Sequence, residues 1–259
     1  MKNRRSFIKK APLALVGLSA VSHAFSMPAS SYRKIIGSND RINIAVQGLG
    51  RRGPGLLYSA LSCDNIELIC ISDVMDKQID RVSKGYYERT GKKVKVEKKF
   101  FKIIEDKDLD VLVVATPDHW HAYSACKAME YGKHVYLEKP CSHNMFENEM
   151  LVKYQKHFNL KVQMGNQQRS SKQTIDLINK LRNGVIGETY KALAFYHNNR
   201  PEVPNQKVAP IPSGLDWDEF QGPAVRRTYT YDTWDYNWRW YGWLYGTGEA
   251  GNNATHELD

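Results

Sequence analysis

Three glycines and one aspartate carry the clearest chemical signal in the chain. Gly48, Gly50 and Gly53 follow the strand-like run 42–47 with the spacing G-x-G-x-x-G, and an apolar helical pattern comes next. The first glycine permits a tight turn, the second lets a pyrophosphate approach the backbone, and the third lets helix and strand pack closely. Asp73 ends a second apolar run at 66–72. A carboxylate there accepts hydrogen bonds from an adenosine ribose and repels a 2′-phosphate, which favours NAD over NADP. A surface aspartate that caps the next helix is the alternative interpretation.

Polar and ionisable residues also follow the later strand-like runs. They occupy 116–121, then Glu138-Lys139-Pro140, then 165–169, while the runs themselves stay apolar. Ligands of open parallel sheets bind beyond the carboxyl ends of the strands. The sequence therefore predicts one ligand-binding edge.

The pattern between these residues predicts the framework that would bring them together. Helices and strands alternate, which is typical of an α/β protein with a doubly wound parallel sheet. We expect a Rossmann-like dinucleotide-binding domain over 41–165 and an incomplete α+β substrate domain over 166–259. In the second domain, a helix at 172–183 and a strand at 189–196 would begin an open antiparallel sheet.

Two of these rim elements resemble a known family. Ala115-Thr116-Pro117 with His121, and then Glu138-Lys139-Pro140, are similar to the glucose-fructose oxidoreductase, inositol dehydrogenase and MocA family, and the likeness extends over 42–259. The resemblance implies that Lys139 lies beside the nicotinamide and polarises a substrate hydroxyl, because a nearby cation stabilises the developing alkoxide. The cofactor-binding residues expected on this basis are Gly48, Gly50, Arg51, Arg52, Gly53, Asp73, Thr116, Pro117, Trp120, His121, Glu138, Lys139 and Gln167.

The family's second signature, Asp-x-x-x-His-x-x-Asp, is matched at the end of the chain except at its first position, where Asn252 stands. By this likeness His256 is the candidate general base, since an imidazole accepts a proton near neutral pH. Helical spacing would place Asn252, His256 and Asp259 on one face. We expect Asn252, Asp259 and Arg169 to contact the substrate, although an amide at 252 cannot relay a proton.

Composition restricts the partners. The formal charge of +9 includes five basic residues before position 25, and without them it is +4. The remainder shows no basic stripe interleaved with aromatics, so nucleic-acid binding is not expected. The four cysteines form no C-x-x-C pair and have no metal-ligand spacing. We therefore expect no metal, and buried free thiols at Cys70 and Cys126.

Residues 1–24 have the features of an export signal. A basic head with Arg4 and Arg5 in a twin-arginine-like pattern precedes the apolar run 11–20 and a small-x-small site at 22–24. The run is too short to span a bilayer, so no stable membrane anchor is expected. The prediction is a periplasmic protein carried by machinery for folded proteins, with 25–40 as a tether. A disordered basic tail is the alternative.

Five of the six tryptophans lie between Trp217 and Trp243. Flat aromatic faces suit sugar rings, but aromatic clusters also form cores and interfaces. The chain stops within a predicted helix, and we expect it to be a truncated form of a longer protein that is a homo-oligomer when complete.

The function predicted from these features is an exported NAD-dependent oxidoreductase acting on a secondary hydroxyl of a sugar, polyol or glycoside. The first alternative is a glycoside hydrolase that uses bound NAD transiently, although such relatives lack the lysine of Glu138-Lys139-Pro140. The second is an inactive sugar-binding protein with a vestigial nucleotide fold.

Overall fold

Six parallel strands form a single sheet at the centre of the molecule. The computed structural model describes residues 41–197, 207–231, 233–242 and 244–259. The strand order is β3-β2-β1-β4-β5-β6, and the direction of winding changes between β1 and β4. The strands are β1 Ile42–Gln47, β2 Ile66–Ser72, β3 Lys95–Val96, β4 Val111–Val114, β5 His134–Glu138 and β6 Val162–Gly165. This order is that of a doubly wound dinucleotide-binding sheet, so the predicted fold class is confirmed.

Helices connect these strands and cover the sheet. They are α1 Gly53–Leu61, α2 Asp76–Thr90, α3 Phe100–Ile104, α4 Asp118–Glu130 and α5 Met145–Phe158. Two clusters of buried apolar residues pack between helices and sheet, one beneath α1 and α2 and the other beneath α3, α4 and α5. Helix ends follow local chemistry: Gly91 adopts φ +68° after α2, and the Asn144 side chain accepts from the Glu147 N–H at the start of α5.

The described residues after β6 add no strand to the sheet and pair only through isolated β-bridges. It contains a 3₁₀ turn Gln167–Ser170, α6 Lys172–Arg182, α7 Trp217–Gln221, a 3₁₀ turn Asn237–Trp240, a π-helical turn Ala250–Ala254 and α8 Thr255–Leu258. The strand predicted over 189–196 does not form. A strand needs a neighbour to accept its backbone hydrogen bonds, and no described residue supplies one to this exposed segment. The predicted antiparallel sheet is accordingly absent from the described parts of the chain.

Aromatic packing attaches the last part of the chain to the sheet domain. Trp217, Phe220, Tyr229, Trp238 and Tyr245 form a buried cluster together with Met75 and Leu215. Trp217 and Phe220 stack with ring centroids 5.0 Å apart. Residues Asp40–Asp259 accordingly form one compact unit. The domain boundary at 165/166 stays a prediction.

Several predictions concern residues outside the described part of the chain. The export signal at 1–24, the tether at 25–40 and Trp243 belong to this group. Among the described residues, no helix combines the length and apolar character that crossing a membrane requires. Within the same residues, no group of three or more His, Cys, Asp or Glu side chains is arranged to hold a metal ion. The four cysteines are free thiols, with Cys70 buried and Cys126 half-buried.

Candidate dinucleotide and substrate site

A cavity of about 490 Å³ lies beyond the carboxyl ends of β1, β2, β4 and β5. The sheet side of this cavity is formed by the residues that follow these strands. The opposite side is formed by residues from the last part of the chain, namely Trp234, Asp235, Trp238, Arg239, Asn252 and His256. The cavity thus lies where the strand order reverses, which is the position that open α/β sheets use for ligands.

Each of the three glycines in the loop after β1 meets a different steric requirement. Gly48 adopts φ +90°, and a Cβ there would lie 2.5 Å from the Ala115 carbonyl oxygen. A Cβ on Gly53 would lie 1.9 Å from the Gly48 carbonyl oxygen, so helix and loop could not close. A Cβ on Gly50, in contrast, would meet no protein atom within 4 Å. Since the protein leaves this space open on the cavity side, Gly50 suits a ligand that approaches the backbone, as a pyrophosphate does.

Asp73 at the end of β2 is fixed by backbone contacts. Its carboxylate accepts the N–H of Leu49 at 2.6 Å and the N–H of Met75 at 2.9 Å. Burial raises the pKa of the Asp73 carboxyl, and these two N–H groups oppose that shift. Each carboxylate oxygen accepts more than one hydrogen bond, so Asp73 still has acceptor capacity for a ribose hydroxyl.

Arg81 stabilises the same loop from α2. Its guanidinium donates to the carbonyl oxygens of Leu49 at 2.6 Å and Gly50 at 2.9 Å. These bonds hold the loop carbonyls on the side of α2. Arg81 also lines the cavity, and sequence reasoning missed it because the contact depends on how α2 packs.

Glu138 and Lys139 end β5 with opposite charges. The buried Glu138 carboxylate accepts from Arg52 Nε at 2.6 Å and from the Lys139 backbone N–H at 2.9 Å. The Lys139–Pro140 peptide bond is cis. The Lys139 ammonium reaches across the cavity and donates to the backbone carbonyl of Asn252. Burial lowers the pKa of Lys139, whereas the carboxylates of Glu138 and Asp118 favour its charged form. Lys139 therefore connects the sheet side of the cavity with the opposite side.

His256 lies on the opposite side with Asn252. Both line the cavity, which brings Lys139, Asn252 and His256 together. Burial lowers the pKa of His256, and the ammonium of Lys139 lowers it further. A neutral imidazole at neutral pH is the form that accepts a proton.

Asp259 and Arg169 do not take the expected positions. They form an ion pair with each other at 2.6 Å, and neither lines the cavity. Asn252 and His256 both line the cavity, although Asn252 belongs to a π-helical turn at Ala250–Ala254. Asp259 follows α8 and is held by the Arg169 guanidinium instead. Asn252, His256 and Asp259 therefore do not all face the cavity.

Three of the first four residues of α4 connect the cavity to the last part of the chain. The Asp118 carboxylate accepts two hydrogen bonds from Thr247, one from its hydroxyl at 2.6 Å and one from its backbone N–H at 3.0 Å. His119 contacts the carbonyls of Phe220 at 2.9 Å and Tyr245 at 3.3 Å, and burial lowers its pKa to about 4. Trp120 also donates to the Phe220 carbonyl. His121 is buried between the carbonyls of Thr116 and Pro140.

The tryptophans divide between core and cavity. Trp217 is buried and donates to the Arg227 carbonyl, so it belongs to the core. Trp234 and Trp238 line the cavity. Next to them, the guanidinium groups of Arg51 and Arg239 each lie 4.4 Å from the centre of the Tyr236 ring. The aromatic-rich segment therefore closes over the glycine loop.

Most of the predicted cofactor-binding residues line this cavity. They are Gly48, Gly50, Arg51, Arg52, Asp73, Thr116, Pro117, Trp120, His121, Glu138, Lys139 and Gln167. Gly53 lies behind the loop instead, where it permits close packing. Lining residues that sequence reasoning did not select include Gln47, Ser72, Gln78, Arg81, Lys98, Asp118, Glu219 and Arg239. Asp118 alone had a visible signal, because it belongs to the polar run after β4.

The comparisons with known proteins agree with this geometry. The sequence model of the GFO_IDH_MocA oxidoreductase family, described as an NAD-binding Rossmann fold, matches residues 42–166. A glycosyl hydrolase family 109 protein of Shewanella baltica is 26% identical over 75% of this chain. An alpha-N-acetylgalactosaminidase of Shewanella oneidensis is 23% identical over the same share. The chain spans 46% of the length of each of these two relatives.

Solved structures show the same fold. An NAD-binding protein from Listeria innocua superimposes with a TM-score of 0.50 at 22% identity, covering 57% of this chain and 42% of that one. KijD10, a 3-ketoreductase from Actinomadura kijaniata in complex with NADP and TDP-benzene, gives 0.51 at 23% identity, covering 57% and 44%.

The sheet order, the glycine loop and the cavity define a dinucleotide-binding Rossmann domain. This Rossmann domain, residues 42–166, matches the sequence model of the glucose-fructose oxidoreductase, inositol dehydrogenase and MocA family. Its cofactor is NAD, as the residues from Gly48 to Gly53 and Asp73 predict.

Proposed function

We propose that this protein transfers a hydride between a secondary hydroxyl of a sugar, polyol or glycoside and tightly bound NAD. The observation that supports this most directly is the meeting of Lys139 and His256 in the cavity that the glycine loop lines. When bound, NAD supplies the hydride acceptor. The residues of the chain then have to bind the substrate, orient its hydroxyl and remove one proton.

Lys139 is the group that orients and polarises the hydroxyl. Its ammonium already donates to the Asn252 carbonyl, and an ammonium has two further N–H groups for a substrate oxygen. A cation within hydrogen-bond reach of the substrate oxygen stabilises the negative charge that develops there as hydride leaves the carbon. Glu138, next to it in sequence and bonded to Arg52, keeps the local charge balanced.

His256 takes the hydroxyl proton in this scheme. Its lowered pKa keeps it neutral at neutral pH, and the neutral imidazole is the form that accepts a proton. The half-buried Trp234 and the buried Trp238 offer flat apolar surfaces to the C–H face of a sugar ring. Asn252 and Arg239 offer polar contacts to the ring hydroxyls.

An exported location is part of the proposal. It rests on the twin-arginine-like segment at 4–9 and the apolar run at 11–20. Free NAD is scarce outside the cytoplasm, so the cofactor would stay bound and be recycled within each reaction cycle. Loading would precede export, because that route carries folded proteins.

A second candidate is NAD-dependent cleavage of a glycosidic bond. The names of the curated relatives favour it, since they include glycosyl hydrolase family 109 proteins and an alpha-N-acetylgalactosaminidase. Oxidation of a ring carbon would acidify the neighbouring C–H, and loss of that proton would expel the aglycone by elimination. Water would then add to the unsaturated sugar, and return of the hydride to the oxidised carbon would leave no net redox change. Both candidates begin with the same hydride transfer and need a base, whereas the lysine of Glu138-Lys139-Pro140 favours the oxidoreductase.

One experiment separates the two candidates. The purified protein is denatured and any released nucleotide is identified by mass. Nicotinamide absorbance is then followed across a sugar panel, in parallel with chromogenic glycosides supplied without added NAD. Net absorbance change without glycoside release supports the oxidoreductase, and release without net change supports the hydrolase. Absence of nucleotide and of both activities would support an inactive sugar-binding protein. Lys139→Met and His256→Asn are the matched variants, and each should lower whichever activity is found by at least about 100-fold.

A further inference from the structure

A side-chain contact with Asp118 holds the start of the segment that carries His256. The Thr247 hydroxyl donates to Oδ2 of Asp118 at 2.6 Å, and the Thr247 backbone N–H donates to the same oxygen at 3.0 Å. Asp118 is 6% exposed and belongs to the first turn of α4, close to the end of β4. The contact therefore connects the rigid sheet domain with a segment that has no strand to hold it.

We propose that Thr247 is a positioning residue whose hydroxyl, held by Asp118, sets the location of Asn252 and His256 against Lys139. This inference rests on the proposed function, in which Lys139 and His256 act on the same hydroxyl. Thr247 itself touches neither substrate nor cofactor in this scheme.

The backbone between Thr247 and His256 transmits the position. The Thr247 carbonyl accepts from the Gly251 N–H at 3.5 Å, and the Gly251 carbonyl accepts from the Thr255 hydroxyl at 3.1 Å. Thr255 directly precedes His256. These turns form a short continuous stack, so a displacement of Thr247 would move His256.

Gly251 shows how closely the stack is packed. A Cβ at this position would lie 1.7 Å from the Thr247 hydroxyl oxygen and 3.2 Å from Cγ of Pro140. Glycine is needed because the hydroxyl and the proline ring already occupy the space. The Thr247 hydroxyl is thus enclosed between Asp118, Gly251 and the Lys139-Pro140 turn.

The pKa of His256 reports its position, because burial and the neighbouring charges shift that pKa. Burial lowers the pKa of His256, Lys139 and Arg52 on the sheet side lower it further, and Glu138 and Glu257 raise it. Release of the segment would expose the imidazole and separate it from Lys139. The pKa of His256 would then return toward its ordinary value of 6.5.

The test compares Thr247→Val, which replaces the hydroxyl by a methyl of similar size, with Thr247→Ser, which keeps the hydroxyl. The pKa of His256 is measured by NMR titration of the imidazole, in the NAD-bound protein. Because the chain has eight histidines, the signal is assigned with His256→Asn. We expect wild type and Thr247→Ser to titrate alike, and Thr247→Val to titrate closer to 6.5.

Kinetics give a second measure. In Thr247→Val we expect kcat to fall about 10- to 100-fold, because small misplacements of catalytic groups have costs of this order. The acid limb of the pH–rate profile should move to higher pH, since the base then protonates more easily. Thr247→Ser should restore both values, which a loss of stability alone would not explain.

A second route to the same displacement uses Gly251→Ala, whose added methyl would occupy the place of the hydroxyl. It should reproduce the Thr247→Val titration, and Thr247→Ala serves if valine prevents folding. An unchanged pKa of His256 in folded, NAD-bound Thr247→Val overturns the inference even if the enzyme is active. If the wild type shows no turnover, the proposed function fails, but the titration still decides whether Thr247 positions His256.

Discussion

The wall of the cavity formed by residues 42–166 is held by six parallel strands, whereas the described residues of 207–259 form the opposite wall without any sheet. The first wall places Gly48, Asp73 and Lys139 at strand ends, so backbone ladders fix them. The second wall places Trp238 and His256 through aromatic packing and a few polar contacts, among them Asp118 with Thr247 and His119 with Phe220. The cofactor side is thus fixed by backbone structure and the substrate side by side-chain contacts.

This difference suits the two tasks. A dinucleotide presents the same phosphates and riboses in every such enzyme, and backbone N–H groups at a helix start can bind them regardless of side-chain type. Substrates differ, and side chains on irregular segments can change without disturbing the core. The variants below test this division, from the largest expected effect to the smallest.

The largest effect is expected at Lys139, which belongs to the first wall and contacts the second. Lys139→Met should lower kcat about 10²- to 10³-fold, the usual cost of removing one donor to a developing oxyanion. Binding of NAD should change little, because the loop and Asp73 stay intact. Single-turnover rates and NAD affinity measured on the same protein check both points. A kcat within about threefold of wild type would show that Lys139 does not stabilise the developing oxyanion.

A second variant pair tests the backbone-built wall alone. Gly53→Ala should destabilise the fold by about 3 kcal/mol, because the added Cβ meets the Gly48 carbonyl. Gly50→Ala should change stability by less than about 0.5 kcal/mol, because no protein atom lies near its Cβ. NAD affinity of Gly50→Ala should nevertheless fall at least about tenfold, since the methyl occupies the path of the pyrophosphate. Urea denaturation and NAD titration distinguish the two. Equal destabilisation by both would contradict the division of roles.

Acid should lower the free energy of unfolding through His119, whose ring packs against the second wall. The pKa of His119 is lowered to about 4 by burial, so the folded protein keeps it neutral while the unfolded chain protonates it near 6.5. The free energy of unfolding should fall as the pH drops below 6.5 and level off near 4. The loss should be about 3 kcal/mol, because each unit of pKa difference corresponds to about 1.4 kcal/mol.

His119→Phe is the matched variant for this pH dependence. Phenylalanine suits the rings of Phe220 and Tyr245, 5.8 and 5.1 Å away. The two carbonyls that His119 contacts keep other donors, namely Trp120 Nε1 and the backbone N–H of residue 119. The variant should lose most of the slope between neutral and acid pH, whereas the exposed His157→Phe should keep it. Urea denaturation at several pH values measures the slope, and an unchanged slope in His119→Phe would assign it to other groups.

The difference between the two walls also explains which features the sequence could predict. The elements β1, β2 and α6 appear within one residue of their predicted bounds, because apolar periodicity is a local property of the chain. The glycine loop and Asp73 were predictable for a related reason, since their spacing records the turn and the strand end. The missing strand at 189–196 shows the limit of such reasoning, because its alternation is local but its pairing partner is not.

Contacts across the second wall had no local signal. Thr247 is 129 positions from Asp118, and nothing in its neighbourhood marks its hydroxyl as important. Trp217 and Trp238 belong to one aromatic run, yet only Trp238 lines the cavity. Asp259, expected on one helical face with Asn252 and His256, pairs with Arg169 instead and does not line the cavity. Sequence spacing does not reveal that ion pair.

The smallest effect concerns the choice of cofactor at Asp73. Asp73→Asn should weaken NAD about tenfold, because a neutral amide accepts ribose hydrogen bonds less strongly than a carboxylate. NADP should bind better than it does to wild type, since the charge that repels its 2′-phosphate is gone. Asp76→Asn removes the same charge three residues later, where the carboxylate is paired with Lys98, and should change neither affinity by more than about twofold. Because Asp73 also accepts from Leu49 and Met75, melting temperatures are compared first, so that loss of fold is not read as loss of affinity. If Asp73→Asn and Asp76→Asn shift the ratio of NAD to NADP affinity equally, the preference comes from the general field of the first wall and not from contact with the ribose.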